Sequence, residues 1–247
     1  MKLLKYVLLI ILLGTLSCSN RLKVSELKVA LASDFYPFAY TESDTLKGME
    51  IELLSLLENR LKVPVKVTVY YFGNLLETFL NEDYDFALGG VTITDSRRDI
   101  FDFSMPYYDA TQTVVALQNN PIAVDSLAGI ASHRVGVLNN STSLLLLENS
   151  LLRERTLPVN NLRRFNSLEA LFTALENDEV SLILLENSVA ELACEEKDFR
   201  VAYKHFLAEH YALVFKRGSN HRSQINRTLE RILGSEEWVE IKKVNLL

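Results

Sequence analysis

Hydrophobic and polar positions along this chain follow two alternating periods. Between Val63 and Val69 every second residue is valine, which is the period of a half-buried strand. Between Met49 and Leu61 the apolar positions 53, 54, 57 and 61 follow the period of a helix. Further strands are predicted at 27–32, 86–88, 135–138, 180–185 and 211–215, and further helices at 75–80, from the capping residues 140–142 to 152, at 168–176, at 225–233 and around 238–241. This alternation predicts an α/β fold with mostly parallel sheets.

The first residues have the pattern of an export signal. Lys2 and Lys5 precede an unbroken apolar run, and small residues then lead to Cys18. This order is typical of a secretory signal peptide, which we place at residues 1–17. The apolar run is shorter than the roughly 20 residues that span a bilayer. Cys18 stands where a bacterial lipoprotein carries its lipidated cysteine, so we expect a membrane-anchored lipoprotein in the periplasm or at the cell surface.

Composition and charge limit the classes of function that this chain can have. The 247 residues are 48% hydrophobic, which suffices for one large domain or two lobes without metal or disulfide support. Acidic residues outnumber basic ones by 32 to 26, and the net charge of −6 becomes −8 without the two lysines of the signal. We therefore expect no nucleic-acid partner, because such binding needs a basic face. The four histidines show no metal-ligand spacing, and we expect no metal, no cofactor and a monomer.

Polar residues follow three of the predicted strands. Ligands of parallel sheets bind beyond the carboxyl ends of the strands. The first such end reads GGVTITDSRR from Gly89 to Arg98, where Thr94 can cap a helical turn that carries Arg97. The planar fork of an arginine fits a carboxylate through two parallel hydrogen bonds. Taken alone, a solvent-exposed charged turn is the commoner outcome for such arginines.

The second and third strand ends carry complementary groups. Ser141 and Thr142 stand at a predicted helix N-terminus, where free backbone N–H groups favour an anion. Glu186 follows a wholly apolar strand, and its carboxylate is suited to pairing with an ammonium group. Considered separately, an ordinary helix cap and a glutamate facing water are the simpler interpretations.

Several motifs occur together in a characteristic order. They are Asp34-Phe35-Tyr36-Pro37-Phe38, the GMEIEL segment at 48–53, Phe72 with Asn74, and the G-x-T-x-T-x-x-R segment at 90–97 followed by Phe103-Ser104 and Pro106-Tyr107. In these motifs the chain resembles the family 3 bacterial extracellular solute-binding proteins of polar amino-acid ABC transporters, over roughly residues 27–241. The resemblance implies a two-lobe type II periplasmic binding protein fold with two crossing strands. Lobe 1 would comprise 26–114 plus 211–247, and lobe 2 would comprise 115–210.

The resemblance also implies roles for five polar positions. Arg97 matches the arginine that holds the ligand α-carboxylate, and Thr142 matches a helix N-terminal residue that also contacts it. Gly90 and Thr92 match positions that supply further polar contacts, often to the α-ammonium group. Glu186 matches an acidic residue, usually aspartate, that pairs with the α-ammonium group.

Other positions match aromatic walls or depart from the family pattern. Phe35 and Phe72 match residues that cover the ligand side chain. Asn140 stands where the family usually has glycine, and asparagine tolerates left-handed backbone geometry better than most residues. Ser181 replaces a common aspartate, and Glu186 is one methylene longer than aspartate.

The implied function is capture of a small amphoteric solute, expected to be an α-amino acid, for delivery to the membrane permease of an ABC transporter. Cyclohexadienyl dehydratases are an enzymatic alternative on the same fold, with a general acid three positions after the residue matched by Glu186. That position is Val189 here, which cannot transfer a proton, although Glu186 itself remains a candidate for a displaced acid. A ligand-sensing lipoprotein that presents its ligand to another membrane partner is the third interpretation.

Overall fold

A computed structural model of the chain describes residues 24–246. The predicted signal peptide and Cys18 lie outside the described residues. Two five-stranded sheets, a three-stranded sheet and eight α-helices make up the described part of the chain. No helix within residues 24–246 is both long and apolar enough to cross a bilayer.

The first sheet combines strands from the two ends of the chain. In spatial order its strands are β5 (Val65–Tyr70), β1 (Leu27–Ala32), β6 (Phe86–Leu88), β13 (Val214–Lys216) and β7 (Phe101–Phe103). The first three are parallel, and β13 runs antiparallel to both β6 and β7. The carboxyl ends of β1 and β6 therefore meet at the same edge.

The second sheet repeats this arrangement with the middle of the chain. In spatial order its strands are β10 (Leu162–Phe165), β9 (Val135–Leu138), β11 (Leu182–Glu186), β8 (Tyr108–Leu117) and β12 (Phe199–Tyr211). The first three are again parallel, and β8 runs antiparallel to both β11 and β12. A small antiparallel sheet precedes the first helix, with strands β2 (Asp34–Phe35), β3 (Ala39–Glu42) and β4 (Thr45–Lys47).

Six of the eight helices in the described part of the chain lie where the periodicity predicts a helix. The eight are α1 (Met49–Leu61), α2 (Phe72–Asn81), α3 (Asp95–Arg98), α4 (Thr142–Leu147), α5 (Leu168–Glu176), α6 (Asn187–Glu196), α7 (Arg222–Leu233) and α8 (Glu236–Leu246). Helix α3 is the turn expected after Thr94, and α6 is not predicted. The apolar face of α1 is buried, and this helix packs against α7 and α8. Burying one leucine of that face stabilises the fold by roughly 1.5–3 kcal/mol.

Two sequence predictions are wrong in extent. The strand predicted at 211–215 is divided, because Tyr211 ends β12 in the second sheet and Val214 begins β13 in the first. An uninterrupted apolar run gives no sign that the chain changes sheets within it. The helix predicted to end at Leu152 is α-helical only to Leu147 and continues as a π-helical turn over Glu148–Leu152.

Candidate functional site

Arg97 links the strand ends of the two sheets. Thr94 caps α3 as predicted, with its hydroxyl accepting a hydrogen bond from the Arg97 amide at 3.2 Å. The guanidinium group donates from Nη1 to the carbonyl of Thr92 at 2.8 Å and from Nη2 to the carbonyl of Asn140 at 2.5 Å. Asn140 has the expected left-handed geometry, with φ of 56°, and its side chain donates to the Gly73 carbonyl at 2.6 Å. The loops after β6 and β9 are therefore in direct contact.

An aromatic cluster lies beside this contact. Phe35 is only 1% exposed, and its ring stacks on Phe38 and Phe72 at centroid distances of 5.1 and 5.9 Å. The ring of Tyr211 packs against Phe35 in an edge-to-face arrangement, with 6.2 Å between the ring centroids. Gly90 has φ of +63°, and a Cβ atom there would lie 2.1 Å from Cε1 of Phe35. Only glycine fits this position, because any side chain would collide with the ring.

A buried group of five polar side chains, which we call the polar cluster, joins β8 and β12, which we call the crossing strands, to the carboxyl ends of β6, β9 and β11. Its members are Thr92, Gln112, Thr142, Glu186 and Glu209. Glu209 Oε2 accepts from Thr142 Oγ1 at 2.6 Å and from Thr92 Oγ1 at 3.0 Å, while its Oε1 accepts from Gln112 Nε2 at 2.9 Å. Glu186 Oε1 has a 3.5 Å contact with the Thr142 hydroxyl. Gln112 and Glu186 are register partners on adjacent strands, which explains their proximity.

Burial sets the electrostatics of the polar cluster. It raises the pKa of Glu186 to about 7, and the nearby negative charge of Glu209 adds to this effect. Burial also lowers the pKa of Arg97 to about 10, against the opposing influence of both glutamates, so the guanidinium group stays charged at neutral pH. The hydroxyl of Tyr211 is buried and has no hydrogen-bond partner among the described residues. These groups together offer one cation, two carboxyl groups and one donor that the described residues do not use.

Glu50 forms a second buried acidic site, beside the first sheet. Its Oε1 accepts from the Gly90 amide at 2.8 Å and from the Tyr107 hydroxyl. Burial raises the pKa of Glu50 to about 7, although these hydrogen bonds oppose the shift. The carboxylate therefore anchors the loop that carries Gly90 rather than facing the polar cluster.

Two cavities open near the contact between the loops. One, of about 740 Å³, has Asp34, Tyr70, Asn74, Phe172 and Lys197 in its lining. Asp34 accepts from the Phe72 amide at 2.9 Å through Oδ1, while its buried Oδ2 has no partner in the described chain. Burial raises the pKa of Asp34 to about 6.

The other cavity, of about 530 Å³, reaches Arg97, Asn140, Ser141 and Arg164. No group of three or more histidine, cysteine, aspartate or glutamate residues between 24 and 246 is arranged to hold a metal ion.

The structure brings the predicted site residues into one continuous region. Gly90, Phe35 and Phe72 form its aromatic side, and Thr92, Thr142 and Glu186 belong to the polar cluster, with Arg97 spanning the two strand ends. Sequence reasoning missed Gln112, Glu209 and Tyr211. All three residues lie on the crossing strands β8 and β12. The pairing of these strands brings them to the site, and the sequence alone does not show that pairing.

Comparison with known proteins identifies the family. The model of the bacterial extracellular solute-binding proteins, family 3, matches residues 27–245. The chain belongs to this family. Its predicted α/β fold of two lobes is confirmed by solved structures: the amino-acid ABC transporter substrate-binding protein AbpA of Streptococcus pneumoniae, bound to L-arginine, superimposes with a TM-score of 0.80 at 25% identity, over 90% of this chain and 94% of that one.

Curated relatives of this solute-binding protein match most of its length. A probable histidine-binding protein of Neisseria gonorrhoeae is 25% identical over 222 residues, which are 87% of this chain and 80% of that protein. The arginine-binding extracellular protein ArtP of Bacillus subtilis is 23% identical over 227 residues, 88% of this chain and 85% of that protein. The predicted class, an amino-acid-type solute-binding protein rather than a dehydratase, is supported by these relatives.

Proposed function

We propose that this solute-binding protein reversibly captures an α-amino acid between its two sheets and presents it to the permease of an ABC transporter. The observation that carries the proposal is the meeting of a guanidinium group and buried carboxylates at the adjoining strand ends of both sheets. An α-amino acid is the small solute that carries the complementary carboxylate and ammonium groups on one carbon. The relatives named for histidine and arginine support the same class.

The polar roles follow from this arrangement. Arg97 would hold the α-carboxylate together with Thr142, since a guanidinium group has five N–H donors and two of them serve backbone carbonyls. Glu186 would hold the α-ammonium group, for which its weakly paired carboxylate is available. Gly90 and Thr92 would supply further polar contacts, as the resemblance implies.

The aromatic pair Phe35 and Phe72 would cover the ligand side chain. Both rings are nearly or fully buried and stacked on each other, so they present a flat apolar wall. The larger cavity lies beside them and has Asp34 in its lining, a residue whose buried Oδ2 has no partner among residues 24–246. A solute side chain that enters this cavity would meet a carboxyl group at its wall.

Closure would turn binding into a signal for the permease. We place lobe 1 at 26–114 plus 211–247 and lobe 2 at 115–210, with β8 and β12 carrying the connections. A ligand held by Arg97 from one lobe and Glu186 from the other binds the closed arrangement better than an open one, and this difference in affinity drives closure. Lipidation at Cys18 would hold the monomer at the membrane near its permease.

The dehydratase alternative has one favourable and one unfavourable feature. Burial raises the pKa of Glu186 to about 7, so a substantial fraction of this residue is protonated at neutral pH, as a general acid requires. Val189, at the position of the dehydratase acid, is a buried apolar residue. Incubation with prephenate distinguishes the two functions: a binding protein leaves it unchanged, whereas a dehydratase releases phenylpyruvate.

A thermal-shift screen tests the proposed function. The panel contains the common amino acids, small carboxylates and prephenate. A ligand at about 100 times its dissociation constant stabilises the folded state by roughly 2.7 kcal/mol, which for a chain of this size raises the melting temperature by roughly 5–10 °C. We expect such a shift with at least one amino acid, which is recovered chemically unchanged. Shifts with carboxylates alone, or with no compound, would contradict the proposal.

A further inference from the structure

The carboxylate of Glu209 has its own set of oriented donors. Its two oxygens accept hydrogen bonds from Thr92 and Thr142 at 3.0 and 2.6 Å and from Gln112 at 2.9 Å. Both threonines are among the residues that we expect to contact the ligand, and Thr142 is expected at the ligand α-carboxylate. A carboxylate of the chain itself therefore takes donors that the proposed function assigns to the solute.

The donor set is held in place by a further hydrogen bond. Ser143 Oγ donates to Gln112 Oε1 at 2.6 Å, which directs the amide nitrogen of Gln112 towards Glu209. Ser143, Gln112 and both threonines are buried, so their side chains have little freedom to find other partners. The result is a preorganised binding position for one carboxylate, formed by Thr92, Thr142 and Gln112, which we call the carboxylate seat.

The seat cannot serve two carboxylates at once. A threonine hydroxyl has a single proton to donate, and Thr92 and Thr142 each donate theirs to Glu209. A ligand α-carboxylate that takes these protons must displace Glu209. The displaced side chain then leaves two buried glutamates, Glu186 and Glu209, beside one guanidinium group. With the ligand in place, three carboxylates then face one guanidinium group and one α-ammonium group, and a further cation stabilises this state because a buried charge without a partner is strongly unfavourable.

Tyr211 provides a second and independent sign that the region is built for an occupant. Its hydroxyl lies wholly buried on the same strand as Glu209, two residues further on, and has no partner within the described part of the chain. Buried hydroxyls almost always have a partner in folded proteins. Tyr211 thus places a donor that the described chain does not use near Glu186 and Glu209.

We propose that Glu209 is a specificity-determining residue that competes with the ligand α-carboxylate and thereby selects amino acids with a cationic side chain over neutral ones. The proposal rests on the proposed function, because it assumes an α-amino acid at this site. A neutral amino acid brings one carboxylate and one ammonium group and leaves the excess negative charge unbalanced. A cationic side chain in the neighbouring larger cavity adds one positive charge to the region and offsets part of this excess.

Three ligands and one substitution test this role by calorimetric titration. Arginine and citrulline have nearly the same shape and differ in side-chain charge, while agmatine is arginine without its carboxylate. We expect the protein to bind arginine at least roughly tenfold more tightly than citrulline. Glu209→Gln should strengthen citrulline binding by roughly tenfold and bring the two affinities close together. Agmatine should gain nothing, because it has no carboxylate to compete with.

Controls separate specificity from simple damage to the fold. Glu230→Gln makes the same chemical change at an exposed helix position and should leave all three affinities unchanged. If Glu209→Gln does not fold, Glu209→Asp retains the charge but is too short to reach all three donors, so a smaller gain for citrulline in the same direction is expected. Circular dichroism checks the folding of each variant.

The outcomes distinguish this inference from the proposed function. An unchanged arginine-to-citrulline ratio in a folded Glu209→Gln variant, or an equal loss for all three ligands, would overturn the role of Glu209 and leave amino-acid binding intact. Binding of agmatine alone, before and after substitution, would contradict both proposals. A selective gain for citrulline would support both.

Discussion

Two buried glutamates, Glu50 beside the first sheet and Glu186 at the end of a strand in the second, have the same raised pKa of about 7 in different surroundings. Glu50 accepts hydrogen bonds from the Gly90 amide and the Tyr107 hydroxyl at Oε1, while its buried Oε2 has no partner among residues 24–246. Glu186 has a 3.5 Å contact with a hydroxyl that is already committed to Glu209. Burial and a raised pKa therefore do not mark a ligand group by themselves. The supply of donors distinguishes a structural carboxylate from one that is available to a solute.

The largest expected effect concerns stability. Glu50→Ala leaves the Gly90 amide and the Tyr107 hydroxyl buried without an acceptor, so we expect the free energy of unfolding to fall by about 2–4 kcal/mol. Glu186→Ala removes the same atoms from a similarly buried position but leaves no strong hydrogen-bond donor without its acceptor. The free energy of unfolding should therefore fall by about 1 kcal/mol or less. Urea denaturation followed by circular dichroism measures both. Equal losses would show that the two carboxylates have the same structural role.

For ligand affinity we expect the opposite order, with a larger effect of substitution at Glu186 than at Glu50. Glu186→Gln removes the charge that we assign to the α-ammonium group, so amino-acid affinity should fall by roughly tenfold to a hundredfold. Glu50→Gln serves as the matched control and should change affinity by less than about threefold, because Glu50 faces the loop rather than the solute. Small carboxylates without an ammonium group should be unaffected by Glu186→Gln. Isothermal titration with both ligand classes makes the comparison, and an equal loss for both classes would refute the ammonium role.

The pH dependence should be the mildest effect, and it has opposite signs for folding and binding. Because burial raises the pKa of Glu50 and Glu186 from 4.5 to about 7, the native state keeps protons that the unfolded chain has lost. Stability should therefore fall as pH rises from about 4.5 to about 7, and Asp34, with a pKa of about 6, adds to this trend. Amino-acid affinity should rise over pH 6–8, since only ionised Glu186 pairs with ammonium.

Denaturation and titration at four pH values between 5 and 8 measure both slopes. Glu50→Gln should flatten the stability slope and leave the affinity slope in place, because it removes the titrating group that does not face the solute. Stability that increases with pH across this range would contradict the assignment of protonated buried carboxyls.

Local patterns in the sequence predict the parts of the site that depend on neighbouring residues. The period of α1, the Thr94 cap beneath Arg97 and the left-handed Asn140 are all confirmed, because each depends on interactions within a few residues. The predicted roles of the seven site residues stay predictions, although the structure places them in one region.

Local sequence patterns do not predict the carboxylate seat around Glu209. Glu209 meets Gln112 and Thr142 across 97 and 67 positions of the chain. It lies on a strand whose pairing with β8 shifts register between His205 and Glu209, so alternation along the strand does not reveal which way its side chain faces. Only the tertiary pairing of the two crossing strands brings these groups together.

Arg97 offers the most direct test of the central claim, that the adjoining strand ends bind an α-amino acid through its carboxylate. Arg98 is its exposed neighbour on the same helical turn and provides the matched control. Titration of the best amino acid from the thermal-shift screen into Arg97→Ala should show an affinity roughly tenfold to a hundredfold weaker than in the unmodified protein. Arg98→Ala should bind normally. A folded Arg97→Ala variant with unchanged affinity would contradict the claim.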